Sequence, residues 1–159
     1  MIIRLLLTTL FILLHTASTW AQNNEAQLLK LDNAMLQAPE QHARKAMKID
    51  MLRRSLQRST NDNERLSLCY DIYNEYYVLQ FDSALHYINK VHHMATKTAN
   101  RHYQQLATIN KAELLGMGGF YPQAIALLDS VSLDANDHEA VFKSHIAHFH
   151  IYLYWADYC

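Results

Sequence analysis

Apolar side chains recur every three or four residues along most of the chain, which is the spacing of one face of an α-helix. Polar clusters and turn residues interrupt this pattern and separate the predicted helices. The helices cover approximately residues 25–36, 40–56, 63–79, 81–98, 103–117 and 121–131, and a last helix runs from the polar cluster at 134–137 to the C-terminus. The pattern therefore predicts an all-α chain.

The helix predicted at 63–79 has a wide apolar side. Two neighbouring stripes cover about half of its circumference, more than the ~100° of an ordinary surface helix. The stripes comprise Leu66, Cys69, Tyr70, Tyr73 and Tyr77, and beside them Leu68, Ile72, Tyr76 and Leu79. A helix that packs against two neighbours needs such a surface, and stacked helix pairs provide it.

All three glycines of the chain, Gly116, Gly118 and Gly119, lie at one turn. Glycine suits the position just past a helix end, and proline suits the first turn of a helix. Pro122 stands in the first turn of the helical pattern that follows the glycines. The turn is therefore predicted to end one helix and to begin another.

Forty residues earlier, a second segment occupies the same place between two helical patterns, and Phe81 there corresponds to Tyr121. An aromatic, a small and an aliphatic residue stand at the same offsets in both segments, which indicates a helical repeat. The matched pairs are Phe81 and Tyr121, Ala84 and Ala124, Leu85 and Ile125, and Ile88 and Leu128. The small residue expected in the first helix of each unit is Ala112 in the second unit, whereas the first unit has Ile72.

The two units resemble tetratricopeptide repeats, although their spacing exceeds the usual ~34 residues. The resemblance implies a right-handed α–α superhelix of antiparallel helix pairs. It places two repeats and the first helix of a third within residues 61–159, so the last helix lacks its partner and the chain is expected to be truncated. The repeat-defining residues are Phe81, Ala84, Leu85, Ala112, Tyr121, Ala124 and Ile125.

Two further helical patterns precede the repeats, and Gln37-Ala38-Pro39 separates them. Helices joined by so short a break are expected to fold back on each other. Residues 22–60 are therefore predicted to form an antiparallel helical hairpin.

Three segments are also similar to the N-terminal region of exported tetratricopeptide-repeat regulators of Bacteroides-type bacteria. They are Leu31-Asp32, the turn from Gln80 to Ala84, and the segment from Tyr154 to Tyr158. In that family a sensor region outside the cytoplasm precedes a transmembrane helix, a coiled coil and a helix-turn-helix DNA-binding end. The resemblance implies sensing or protein contact, with membrane attachment only through a later segment.

Residues 1–21 have the features of a secretory signal peptide. Arg4 makes the start positive, an apolar run extends from Leu5 to Leu14, and Thr19-Trp20-Ala21 has the small-x-small form of a cleavage site. The apolar run is too short to stay in a bilayer as a spanning helix. Cleavage is predicted after Ala21, with export of the mature chain to the periplasm.

Composition narrows the functions that the chain can have. A formal net charge of −1 gives the domain no electrostatic footprint for nucleic acid. The basic residues between Arg44 and Arg58 are expected to form a solvated helix face, because Asp50 interrupts them.

No residues have a spacing typical of catalysis. The serines lack a nucleophile elbow and Cys69 lacks a paired histidine signature, so no enzymatic activity is expected. His145, His148 and His150 are close together in sequence but match no motif with a third ligand, so neither a metal nor a cofactor is expected. With the second cysteine at the C-terminus, Cys69 is predicted to be a free, buried thiol.

Most tyrosines follow the core stripes and are expected to pack between helices. The candidates for contact with a partner are Tyr73, Tyr77, Tyr154 and Trp155. Two functions remain open. The chain is either a module that binds a protein or peptide or senses a signal, or a structural scaffold that self-associates through its unpaired last helix.

Overall fold

The computed structural model describes the backbone of residues 2–158 and the side chains of residues 27–158. The described residues form helices and no strands, as the apolar pattern predicts. The helices are α1 (Ile2–Arg58), α2 (Asp62–Tyr76), α3 (Phe81–Lys97), α4 (Arg101–Met117), α5 (Tyr121–Asp129) and α6 (His138–Tyr158). None of them, over the part that the structure describes, combines the length and apolarity that a membrane crossing needs.

The predicted hairpin at residues 22–60 is wrong, because α1 continues through Pro39 without a break. A proline inside a helix removes one backbone hydrogen bond and costs about 3 kcal/mol. The residues on either side, such as Leu36 and Glu40, are strong helix formers and no glycine lies among them, so the helix persists across the proline.

The chain divides into two compact units, Met1–Ala46 and Met47–Cys159. In the first unit, Arg44 pairs with Glu40 at 3.8 Å on an exposed helix surface. The predicted signal peptide and its cleavage after Ala21 fall on residues whose side chains lie outside the described ones, so both stay predictions. All the packing described below belongs to the second unit.

Side-chain caps fix the starts of α2, α4 and α6. The Asn61 side chain accepts hydrogen bonds from the backbone N–H groups of Asn63 and Glu64, at 2.9 and 3.1 Å. Asn100 accepts from the Tyr103 N–H at 3.2 Å, and Asp137 accepts from the Ala140 N–H at 3.1 Å. These bonds satisfy backbone donors that a helix start leaves without partners.

The repeat turns place Phe81 and Tyr121 at equivalent positions, as the first residues of α3 and α5. Ala84 and Ala124 follow three residues later and are fully buried, as is Ala112 on α4. Leu85 and Ile125 are half-buried and pack against the same core. The seven residues that define the repeat therefore all lie within or against the core between the helices.

The three glycines have different roles. Gly119 lies just past the end of α4 and adopts a φ of 83°, the left-handed conformation with which helices commonly end. Gly116 instead lies inside α4, where an added Cβ would come within 2.6 Å of Ile151 Cγ1. Its role is to let α6 approach α4 closely, a role that its place in the glycine cluster did not reveal.

α4 is the central helix of the second unit. α3 packs between α2 and α4, and α4 also packs against α5 and α6. Cys69 is buried and free, as predicted, with its Sγ 3.9 Å from the Met94 sulfur; residue 159 lies outside the described residues. Burial raises the pKa of the Cys69 thiol, which keeps it protonated and unreactive.

The last helix buries a different stripe from the one that its large apolar residues suggest. Its buried residues are Ala140, Ser144, Ala147 and Ile151. Phe142, Phe149 and Leu153 are exposed by 66%, 61% and 45%, so they form an uncovered apolar strip. Small residues face α4 and α5 because the helices approach closely there.

Candidate binding surface

The first helix of each repeat unit contributes side chains to one shared surface. Residues of α2, α4 and α6 meet there through hydrogen bonds, ring contacts and an ion pair. We call it the tyrosine face, and its members are Tyr70, Tyr73, Tyr77, Asn110, Glu113, Lys143, His150 and Tyr154. No other set of side chains described in this structure links these three helices in the same way.

One end of the tyrosine face is organised around the Tyr70 hydroxyl. It accepts hydrogen bonds from the Asn110 side-chain amide at 3.0 Å and from the Lys143 ammonium at 2.8 Å. The same ammonium lies 5.5 Å from the centre of the Tyr70 ring and 3.7 Å from Glu139. One phenol thus joins α2, α4 and α6.

Lys143 keeps its positive charge in this setting. Burial acts to lower its pKa, but the hydrogen bond to Tyr70 and the electrostatic interactions with Tyr70 and Glu139 outweigh that effect, and the pKa is raised. The Lys143 side chain is 34% exposed, so a cation is presented to solvent at the edge of an aromatic surface.

The other end is organised around the Glu113 carboxylate. It binds the Nδ1 atom of His150 at 2.6 Å, and its side chain is only 14% exposed. Burial, followed by the charge of Glu113 and a hydrogen bond to it, raises the pKa of Tyr77, which therefore stays protonated and donates to the carboxylate. The Tyr154 ring lies 6.0 Å from the His150 ring.

The structure corrects one predicted contact residue and separates another from the face. Tyr73 is 1% exposed and its ring lies between those of Tyr70 and Tyr77, so a partner cannot reach it. Trp155 stacks on Tyr121 with the two rings 5.7 Å apart, which places it against the second repeat turn instead. Tyr77 and Tyr154 remain half-buried members of the face.

The sequence alone did not identify Asn110, Glu113, Lys143 or His150 as members of this surface. For Asn110 a signal existed, because an asparagine on an otherwise apolar helix stripe requires a hydrogen-bond partner when it is buried. Glu113, Lys143 and His150 each make contacts with residues that are far away in sequence. The helical period of α4 or α6 does not reveal such contacts.

Three histidines pair with carboxylates. His102 contacts Asp137 at 2.7 Å, and His148 contacts Asp129 at 3.2 Å. Together with the His150 pair, these contacts tie the start and the body of α6 to α4 and α5. Burial opposes ionisation of Asp137, but hydrogen bonds from His102 and the Ala140 N–H outweigh it and lower its pKa. Among the described residues, no group of three or more metal-ligating side chains converges.

The chain matches the model of a known protein family. The model of the SusR N-terminal TPR domain, where TPR denotes the tetratricopeptide repeat, matches residues 35–159. Searches of curated proteins and of solved structures gave no significant match. Domains of this type are helical-repeat modules of protein interaction, and the match confirms both the all-α repeat fold and the resemblance found in the sequence. The chain belongs to the SusR N-terminal TPR domain family.

Proposed function

We propose that the chain is an extracytoplasmic module that recognises a protein or peptide on the tyrosine face and acts as the sensor part of a membrane-bound transcriptional regulator. The observation that carries the proposal is the tyrosine face itself, in a domain type that mediates protein interaction. The signal-peptide features of residues 1–21 and the resemblance to exported regulators support the location and the sensing role.

The chemistry of the face suits a peptide. A peptide backbone offers both donors and acceptors, and the face offers the Lys143 ammonium as a donor and the Glu113 carboxylate as an acceptor. Tyr77 and Tyr154 add aromatic area, which contributes strongly to protein interfaces because a large surface is buried with little loss of side-chain entropy.

Peptide selection tests this proposal directly, because a random library offers the face many sequences at once. The library is selected on the immobilised full chain, and the affinity of enriched peptides is measured by calorimetry. Tyr154→Ala is expected to weaken binding by at least about tenfold, which corresponds to ~1.4 kcal/mol. His93→Ala, an exposed substitution on α3, is the matched control and should leave the affinity unchanged. Failure to enrich any peptide, or equal affinities for both variants, contradicts the proposal.

Export is tested separately. The full chain is produced in a Gram-negative host, and the N-terminus of the periplasmic product is sequenced. The expected first residue is Gln22, and Ala21→Arg is expected to block processing because the cleavage site requires a small residue there. Ala34→Arg is the control and should be processed normally. An uncleaved, cytoplasmic product of the original sequence would refute the predicted location.

The exposed apolar strip of α6 favours a second candidate function, a scaffold that self-associates. Phe142 and Phe149 are more than half exposed on this strip, and a second copy packed on it would remove them from water. Light scattering over a range of concentrations tests this function, with Phe149→Asp as the disrupting variant. A concentration-independent monomer rules the scaffold out and leaves the peptide-binding proposal intact.

A further inference from the structure

A cleft with a volume of about 720 Å³ lies along α4, between the C-terminal ends of α3 and α5. We call it the α4 cleft. The residues that line it include Arg101, Gln105, Thr108, Lys111, Leu127 and Val131. The volume falls within the roughly 300–1,000 Å³ of small-molecule sites in proteins.

The α4 cleft is separate from the tyrosine face. An α-helix turns by about 100° per residue, so Thr108 lies roughly 160° around α4 from Asn110. Asn110 and Glu113 face α2 and α6, whereas Thr108 and Lys111 line the cleft on the other side of the helix. A ligand in the cleft would therefore leave the tyrosine face accessible.

Two cations of the α4 cleft have no counter-charge. Lys111 is half-buried and Arg101 is exposed, and neither side chain forms an ion pair or a hydrogen bond with another described residue. None of the described residues that line the cleft is an aspartate or a glutamate. A partly desolvated cation is stabilised by an anion, and arginine matches the two oxygens of a carboxylate in geometry.

Gln105 adds a requirement for a hydrogen-bond donor. Its side chain is 4% exposed, and its amide nitrogen donates to the Ser132 carbonyl at 2.7 Å, which fixes the orientation of the amide. The amide oxygen, Oε1, has no hydrogen-bond partner among the described residues. Most buried polar atoms in proteins have a partner, so this oxygen is an acceptor that an N–H or O–H group of a bound molecule can satisfy.

The remaining part of the lining is apolar. Leu127 and Val131 are half-buried and border the cleft beside the polar groups of α4. We propose that the α4 cleft binds a small organic carboxylate that carries an N–H or O–H donor next to the carboxylate and an apolar group beyond it. N-acyl amino acids and the free C-terminal residue of a peptide share this chemistry.

A matched pair of probes tests the proposal on the full chain. N-acetyl-leucine has the carboxylate, the N–H and the apolar group, and N-acetyl-leucinamide differs from it in lacking the negative charge. The acid is expected to bind with a Kd below about 1 mM and to shift the amide resonances of the cleft residues, and the amide is expected to bind at least about tenfold more weakly.

Variants on the two sides of α4 assign the site. Lys111→Met is expected to weaken binding of N-acetyl-leucine by about tenfold, and Lys97→Met, outside the cleft, should not change it. Tyr154→Ala should leave this binding unchanged, which separates the cleft from the peptide site proposed above. An unchanged melting temperature of Lys111→Met shows that the variant is folded.

A ten-residue peptide that ends in leucine with a free carboxylate distinguishes the two sources of the ligand. A gain of about tenfold over N-acetyl-leucine identifies a protein C-terminus, and equal affinity identifies a small molecule. The proposal is overturned by equal binding of N-acetyl-leucine and its amide, by no binding of either at about 10 mM, or by an affinity that Lys111→Met leaves unchanged.

Discussion

The phenol groups of Tyr73 and Tyr77 are held in the neutral form by their surroundings. Burial is the largest cause for both, and the charge of Glu113 contributes to each, so both pKa values lie above the ordinary value of 10.0. Neither hydroxyl acts as an anion at physiological pH. Tyr73 thereby serves as a rigid spacer in the centre of the face, and Tyr77 serves as a hydrogen-bond donor to Glu113.

These raised pKa values predict a loss of stability in alkali. Below pH ~10 the tyrosines are protonated in both the folded and the unfolded chain, so tyrosine ionisation does not lower the free energy of unfolding there. As pH rises above that value the unfolded chain releases protons that the folded chain retains, and the free energy of unfolding falls. In urea unfolding above that pH, the free energy of unfolding of Tyr73→Phe should fall less steeply than that of the original chain, by up to about 1.4 kcal/mol per pH unit.

Tyr152 provides the control for this measurement, because its side chain is 53% exposed. Tyr152→Phe should leave the alkaline slope unchanged. Identical slopes for Tyr73→Phe and the original chain would show that Tyr73 ionises as freely in the folded state as in the unfolded state, against the burial described above.

Gly116 determines how closely α6 approaches α4. An added methyl group would collide with Ile151, so Gly116→Ala is expected to destabilise the fold by about 1–3 kcal/mol although alanine favours a helix. In an Ile151→Ala background the collision is absent, and the same change should stabilise by up to about 1 kcal/mol. Thermal unfolding of the original chain and the three variants measures the coupling, and a change of equal size in both backgrounds would contradict the contact.

At the level of helices, the starts of α3 and α5 could be predicted from the sequence because they depend on local chemistry. The continuity of α1 could not, because proline at residue 39 is compatible with either a turn or a strained helix. The buried stripe of α6 could not be predicted either, because large apolar residues are poor guides where small residues such as Ala147 allow close packing.

Replacing Pro39 tests the continuity of α1. In an uninterrupted helix, Pro39→Ala restores one backbone hydrogen bond and is expected to stabilise the surrounding turns by up to about 3 kcal/mol. Hydrogen exchange of the amides on both sides of residue 39 should slow by as much as about 100-fold, and the helical circular-dichroism signal should rise. Gln37→Ala is the control and should have a small effect. Faster exchange in Pro39→Ala would instead indicate that the proline forms a turn.

At the level of the whole molecule, the repeat register fixes which helices are neighbours, and the sequence contained that register in Phe81 and Tyr121. The tyrosine face depends on contacts between residues 37 to 73 positions apart, such as Tyr70 with Lys143 and Glu113 with His150. Such pairings follow from the packing of α2, α4 and α6 and leave no local periodic signal. The fold was therefore largely predictable, whereas the surface was not.

On the proposed function, the tyrosine face binds the partner. The most direct test is to map a selected peptide onto the isotope-labelled full chain by amide chemical-shift changes. We expect the largest changes around Tyr77 at the end of α2, Glu113 on α4 and Tyr154 on α6, three positions that are distant in sequence. Changes confined to the exposed strip around Phe149, or to the α4 cleft around Lys111, would contradict the claim.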